Sequence, residues 1–158
     1  MVFIKILLTV SLLFVFFQDF KERLVYWFLF PIIGLLCAWL FYNNTLPELF
    51  YNALKMNLAF ILIFVLIISL YAKLKLKTSI LKTVGLGDLL LFVAVSFICT
   101  TVSFIVLFIS ALIFSLVLHL ALSKNKKVMT VPLAGYMSLF FLAIYLVQWS
   151  GYVNIYTI

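Results

Sequence analysis

Acidic side chains are almost absent from this chain: among 158 residues there are two aspartates, Asp19 and Asp88, and two glutamates, Glu22 and Glu48. Charge of either sign is sparse at 9%, while 68% of residues are hydrophobic and 18% aromatic. Such a composition does not fold around one water-soluble core, so it predicts an all-α, polytopic integral membrane protein. Cysteine is equally scarce. Cys37 and Cys99 each stand alone in an apolar segment, which excludes zinc-ligand spacing and a secreted disulfide framework and reads as core packing. Only five glycines and three prolines punctuate the chain, and no stretch is polar enough for a separate soluble domain. Residues 1–158 are therefore expected to be a single transmembrane domain. The formal charge of +7 comes from lysines flanking apolar runs, where they meet anionic lipid headgroups; nucleic acid is not an expected partner.

The apolar runs cover about Ile6 to Phe17, Val25 to Tyr42, Asn57 to Ala72, Leu89 to Leu122 and Leu133 to Trp149. Lys5 before the first run resembles a secretory signal. Phe16, Phe17 and Gln18 occupy the place of small cleavage-site residues, so the segment is read as a retained helix. The run from Leu89 to Leu122 would make one helix of about 51 Å, far beyond the roughly 30 Å of bilayer hydrocarbon. Two spans with a turn at Thr100, Thr101 and Ser103 are expected instead, although no Gly or Pro marks the break.

Charge patterning supports that division. Lys21 and Arg23 follow the first span, Lys73, Lys75, Lys77 and Lys82 the third, and Lys124, Lys126 and Lys127 the fifth, so every second loop is basic. Basic short loops stay in the cytoplasm. Six transmembrane helices with both termini extracytoplasmic satisfy the rule, and they bring Asp19 and Asp88 to the cytoplasmic side.

A carboxylate at membrane depth costs at least about 2.5 kcal/mol, so intramembrane acids are functional candidates by default. Two carboxyls within a few ångströms cannot both ionise; the ionised one can activate water while its protonated neighbour supports the oxyanion and the leaving amine. That chemistry is peptide hydrolysis, with Asp19 and Asp88 as the catalytic pair. Gly85 and Gly87 in Gly85-Leu86-Gly87-Asp88 are candidate substrate-binding positions, since without Cβ they admit an extended peptide and a sharp turn. Glu22 is a further substrate-binding candidate. Alternative readings stay open: Asp19 with Glu22 has capping-box spacing, Arg23 stands at i+4 to Asp19, and Asp88 is a good N-cap. A Gly-x-Gly-Asp string alone arises by chance in roughly one such chain in twenty or thirty.

Three segments carry a resemblance: Gln18-Asp19-Phe20-Lys21-Glu22-Arg23-Leu24-Val25, Gly85-Leu86-Gly87-Asp88 and Val131-Pro132-Leu133-Ala134-Gly135. Together the chain resembles the type IV prepilin peptidase family, including the preflagellin peptidases, which are Gly-x-Gly-Asp intramembrane aspartyl proteases. The resemblance implies a six-span helical bundle in the inner (plasma) membrane. It implies an aspartic-type endopeptidase that uses Asp19 and Asp88 to cut the leader of a pilin-like precursor, its protein partner in the type IV pilus system, on the cytoplasmic side. Family members often have Pro-Asn where this chain has Tyr26 and Trp27, and a lysine where it has Leu90. The paired CxxC region of larger members is not found, so the resemblance is to the peptidase-only form, with no methyltransferase activity, metal or cofactor expected. The competing readings are a small transporter or channel subunit using the same aspartates, and a degenerate member that binds precursors without cutting.

The remaining signals read as structure. Thr45-Leu46-Pro47-Glu48 is a capping box with proline early in the helix, expected to open an interfacial helix running into the third span. Lys73-Leu74-Lys75-Leu76-Lys77 continues that helix with snorkelling lysines, and His119 is a packing histidine with no metal partner at ligand spacing. Trp27, Trp39 and Trp149 suit interfacial belts.

Overall fold

The computed structural model describes residues 1–77, 84–122 and 131–156, and within them the regular structure is helical. Helix α1 spans Val2–Glu22, α2 Leu29–Asn43, α3 Pro47–Tyr71, α4 Leu86–Val95, α5 Thr101–Leu122 and α6 Leu133–Trp149. Three of them, α1, α3 and α5, are long and apolar enough to cross a membrane; α2, α4 and α6 are apolar but shorter. Large hydrophobics such as Phe3, Leu35, Leu62 and Val106 lie exposed on the outer faces of these helices. A protein surrounded by water rarely leaves so much apolar surface uncovered.

The helix boundaries follow from local chemistry. α1 runs past its apolar stretch to Glu22 and stops where Arg23 turns left-handed (φ 55°), its N–H donating to the Asp19 carbonyl. Asp19 therefore belongs to the last turn of α1, and the alternative reading of Asp19 and Glu22 as a capping box at the head of the second helix does not hold. α2 begins at Leu29, four residues later than the apolar run suggests, because Pro31 must fall in a first turn, where its missing N–H and bulky ring do no harm. The Thr45–Glu48 box is likewise replaced. Pro47 takes the first helical position, and the residue before a proline is driven to extended backbone, so Leu46 (φ −65°, ψ 140°) becomes the N-cap. Thr45 Oγ1 is left buried without a hydrogen-bond partner. At its far end α3 passes into a π turn over Ala72–Leu76 and ends at left-handed Lys77, so the lysine alternation does continue the helix. Lys82, Lys124, Lys126 and Lys127 lie outside the described residues.

The long apolar run does divide, but the break covers residues 96–100, so Thr101 and Ser103, expected in the turn, already belong to α5. The device that stabilises the break is Asn57, fully buried on α3, whose Nδ2 donates to the carbonyls of Ser96 (2.9 Å) and Cys99 (3.0 Å). A helix end leaves carbonyls without intrahelical donors, and in an apolar interior those carbonyls need another partner.

Packing aligns α1 with α6, α6 with α5, and α2 with α1 and α4, while α3 covers α5 and α4. Gly34 brings α2 close to α4, since a Cβ there would meet Ala94 Cα at 3.5 Å. An aromatic cluster ties α3, α4 and α5 together: Phe108 stands edge-on to Phe64 (5.3 Å) and Phe92 (5.2 Å), and Phe60 packs edge-on to Phe104 (6.0 Å). Edge-to-face pairs add about 0.5–1.5 kcal/mol each beyond area burial. Cys37 and Cys99 are buried free thiols, as their apolar surroundings suggest.

The bundle has two chemically distinct ends. At one, the C-terminus of α1 meets the N-termini of α4 and α6, with Phe30 at the start of α2 against Gly87. Lys21 and Arg23 stand at this end, and α3 delivers Lys73, Lys75 and Lys77 toward it. At the other, the α2–α3 loop meets Thr100, Thr101 and Tyr156, and Lys5 sits over the Trp149 ring.

Candidate active site

The first amides of α6 are the organising feature of the basic end. Pro132 is the N-cap, and Leu133, Ala134 and Gly135 form the first turn, whose N–H groups have no carbonyl partner within the helix. Two of these amides take carboxylates instead. Ala134 N–H donates to Asp88 Oδ1 at 2.8 Å, and Gly135 N–H donates to Asp19 Oδ2. The aspartates are remote in sequence yet share adjacent amides of one helix terminus, where the helix dipole also favours negative charge. Adjacent backbone nitrogens are under ~4 Å apart, so the two accepting oxygens lie within roughly 9 Å of each other at most.

Each carboxylate is held from its own side as well. Asp88 is the third residue of α4, and its Oδ2 accepts the Gly85 N–H at 3.2 Å, closing the helix start from within. It is thus not the N-cap itself; Gly85 is. Asp19 is buried on α1 and rests directly on Gly135. A Cβ at position 135 would lie 3.1 Å from both Asp19 Cβ and Oδ2 and 3.4 Å from the Phe16 carbonyl. The approach of α1 to α6 at this level is therefore closer than a side chain at position 135 would permit without a shift of a few tenths of an ångström.

The glycines of the Gly85-Leu86-Gly87-Asp88 segment play another part than the sharp turn expected of them. Gly85 has φ −61° and ψ 150°, open to any residue, and Gly87 is helical; the only glycine with positive φ among the described residues is Gly151. What their small size does here is local. A Cβ on Gly85 would stand 3.3 Å from Asp88 Oδ2, and Gly87 faces the Phe30 ring, where a Cβ would sit at 3.6 Å, an ordinary contact. Gly85 is exposed beside the aspartates and Gly87 half-buried.

Glu22, the other candidate, is exposed at the end of α1. The link that follows it is secured by Gln18, whose Oε1 accepts the Tyr26 N–H at 3.3 Å, and by stacking of Tyr26 on Phe28 at 5.6 Å. Tyr26 and Trp27, which depart from the family pattern, are exposed loop residues and do not enter the aspartate contacts. Leu90 is half-buried one turn into α4. His119 packs near Tyr136, ring centroids 6.5 Å apart, in keeping with a packing role.

Sequence reasoning named Gly135 only within the Val131-Pro132-Leu133-Ala134-Gly135 segment and gave it no role of its own. Its signal was present, a glycine three positions after the proline that opens a helix, but its contribution is a backbone N–H and a missing side chain. Among known proteins, no family model, no curated sequence and no solved structure matches this chain.

Proposed function

We propose that this protein is a membrane-embedded aspartic endopeptidase in which Asp19 and Asp88 form the catalytic pair. The observation that carries the proposal is the convergence of the chain's only two aspartates on consecutive amides at the start of α6. One carboxylate stays ionised and takes a proton from the attacking water. The other keeps a proton, donates to the developing oxyanion and later assists the departing amine. The α6 amides hold the pair in register, and exposed Gly85 beside Asp88 offers backbone to an extended peptide.

The remaining assignments rest on the charge pattern and the motif resemblance. The six helices act as six spans, α2, α4 and α6 reaching across with their flanking segments. The basic end, carrying Lys21, Arg23, Lys73, Lys75 and Lys77, faces the cytoplasm, with both termini outside in the plasma membrane. The substrate is the leader segment of a pilin-like precursor, with Glu22 meeting its basic residues. A transporter would place its acids at helix interruptions near the midplane; here the aspartates gather at helix ends, away from the Ser96–Thr100 break.

Co-expression with pilin-like precursors tests the reading. The wild-type chain shortens a precursor by its leader, seen as a mobility shift, and Asp19→Asn or Asp88→Asn abolishes the shift. Processing that survives both substitutions contradicts the proposal.

A further inference from the structure

At the end of the bundle opposite the aspartates, two adjoining cavities of opposite character share the walls formed by Asn44 and Tyr156. The first, of about 360 Å³, is polar: Lys5, Asn44, Gln148 and Asn154 line it beside Trp149. The second, of about 560 Å³, is mainly apolar, with Leu46, Leu49, Met56 and Val102 in its wall. Both volumes fall in the range of small-molecule sites, roughly 300–1,000 Å³. No acidic residue lines either cavity, and Lys5 Nζ is held 5.4 Å above the Trp149 ring at the mouth of the polar one. Thr45 Oγ1, in the wall of the apolar cavity, is buried with no hydrogen-bond partner.

A ligand that fills both spaces has an anionic, hydrogen-bond-accepting head and a hydrocarbon tail. We infer that the paired cavities bind one anionic phospholipid, its phosphate against Lys5 with Asn44 and Asn154 as donors, and an acyl chain in the space beside Leu49, Met56 and Val102. The site stands at the end of a bundle whose outer faces are apolar, where such a lipid would arrive by lateral diffusion, and Trp149 has the amphipathic character of headgroup-level aromatics. The amide side chains supply direction to an attraction that a lone lysine would leave diffuse. This inference is independent of the proteolytic reading.

The test uses the full chain purified in a zwitterionic detergent. Native mass spectrometry and thermal unfolding are followed on titration with phosphatidylglycerol, phosphatidylcholine or inorganic phosphate. Phosphatidylglycerol is expected to remain bound as a single adduct and to raise the melting temperature, with phosphatidylcholine and inorganic phosphate doing neither. Lys5→Gln weakens the adduct roughly tenfold, the loss of one charge-assisted hydrogen bond, and Lys5→Arg restores it. Val102→Trp, which fills the apolar cavity, also weakens it while helical circular dichroism is retained. Lys55→Gln, on α3 but outside both cavities, leaves it unchanged. Equal binding of phosphatidylcholine, full protection by phosphate alone, or equal losses from Lys5→Gln and Lys55→Gln would each overturn the inference.

Discussion

Gly135→Ala puts one methyl group between α1 and α6 at the point where Asp19 takes its amide. The new Cβ would lie 3.1 Å from Asp19 Cβ and Oδ2 and 3.4 Å from the Phe16 carbonyl. Asp19 Cβ is anchored to the α1 backbone and the Phe16 oxygen belongs to it, so no side-chain rotation relieves the contact. α1 must move by a few tenths of an ångström. Two effects oppose each other. Alanine in place of a helical glycine gains about 0.5–1 kcal/mol in backbone entropy, whereas overpacking a tight contact costs about 1–3 kcal/mol. The gain is smaller still in a first turn, so the net expectation is a loss of about 1–2 kcal/mol. Function should suffer more than stability, because the same shift stretches the Gly135–Asp19 hydrogen bond, and misplacement approaching 1 Å costs up to about a hundredfold in rate. Detergent-solubilised protein unfolded by chemical denaturant reads the first quantity, and initial rates of precursor cleavage read the second, with roughly a tenfold drop expected. A Gly135→Ala variant as stable and as active as the wild type would refute the argument that α1 and α6 meet at this glycine to set the carboxylate.

Other expectations follow from single contacts. Asn57→Leu removes the donor shared by the Ser96 and Cys99 carbonyls, and since each orphaned carbonyl costs about 1–3 kcal/mol, unfolding should come at clearly lower denaturant. Thr45→Val distinguishes the observed helix start from the capping box: loss of a true N-cap costs about 1 kcal/mol, whereas removing an unpaired buried hydroxyl should leave the melting temperature unchanged or raised. Pro47→Ala should lower stability modestly through greater freedom of the unfolded chain, by about 0.4–1 kcal/mol in denaturant titrations.

How far the sequence revealed this arrangement depends on whether a feature is carried by side chains or by the main chain. The helical class, the scarcity of acids and the division of the run after Leu89 were all legible, the last from length and lysine alternation. Asn57 was not. A lone amide in an apolar helix carries no sign of its partners, which lie 39 and 42 residues further on. Prolines held information that apolar runs obscured: Pro31 fixes the start of α2, and Pro47 moves the N-cap of α3 from Thr45 to Leu46. The two aspartates stood out by their rarity, but the amides of Ala134 and Gly135 that receive them have no side-chain signature. Gly85 and Gly87 were noticed for admitting a peptide and a sharp turn; neither has the positive φ such a turn would use, and only Gly85, beside Asp88, sits where a Cβ would be tight.

The meeting of Asp19 and Asp88 at the start of α6 is tested most directly by cross-linking. In a chain carrying Cys37→Ala and Cys99→Ala, the pair Asp19→Cys and Asp88→Cys is treated in native membranes with a short bifunctional thiol reagent, and Asp19→Cys with Glu48→Cys serves as the comparison across the bundle. The account predicts an intramolecular link between positions 19 and 88 and none between 19 and 48. Failure to join 19 to 88, or equal joining of 19 to 48, would contradict it.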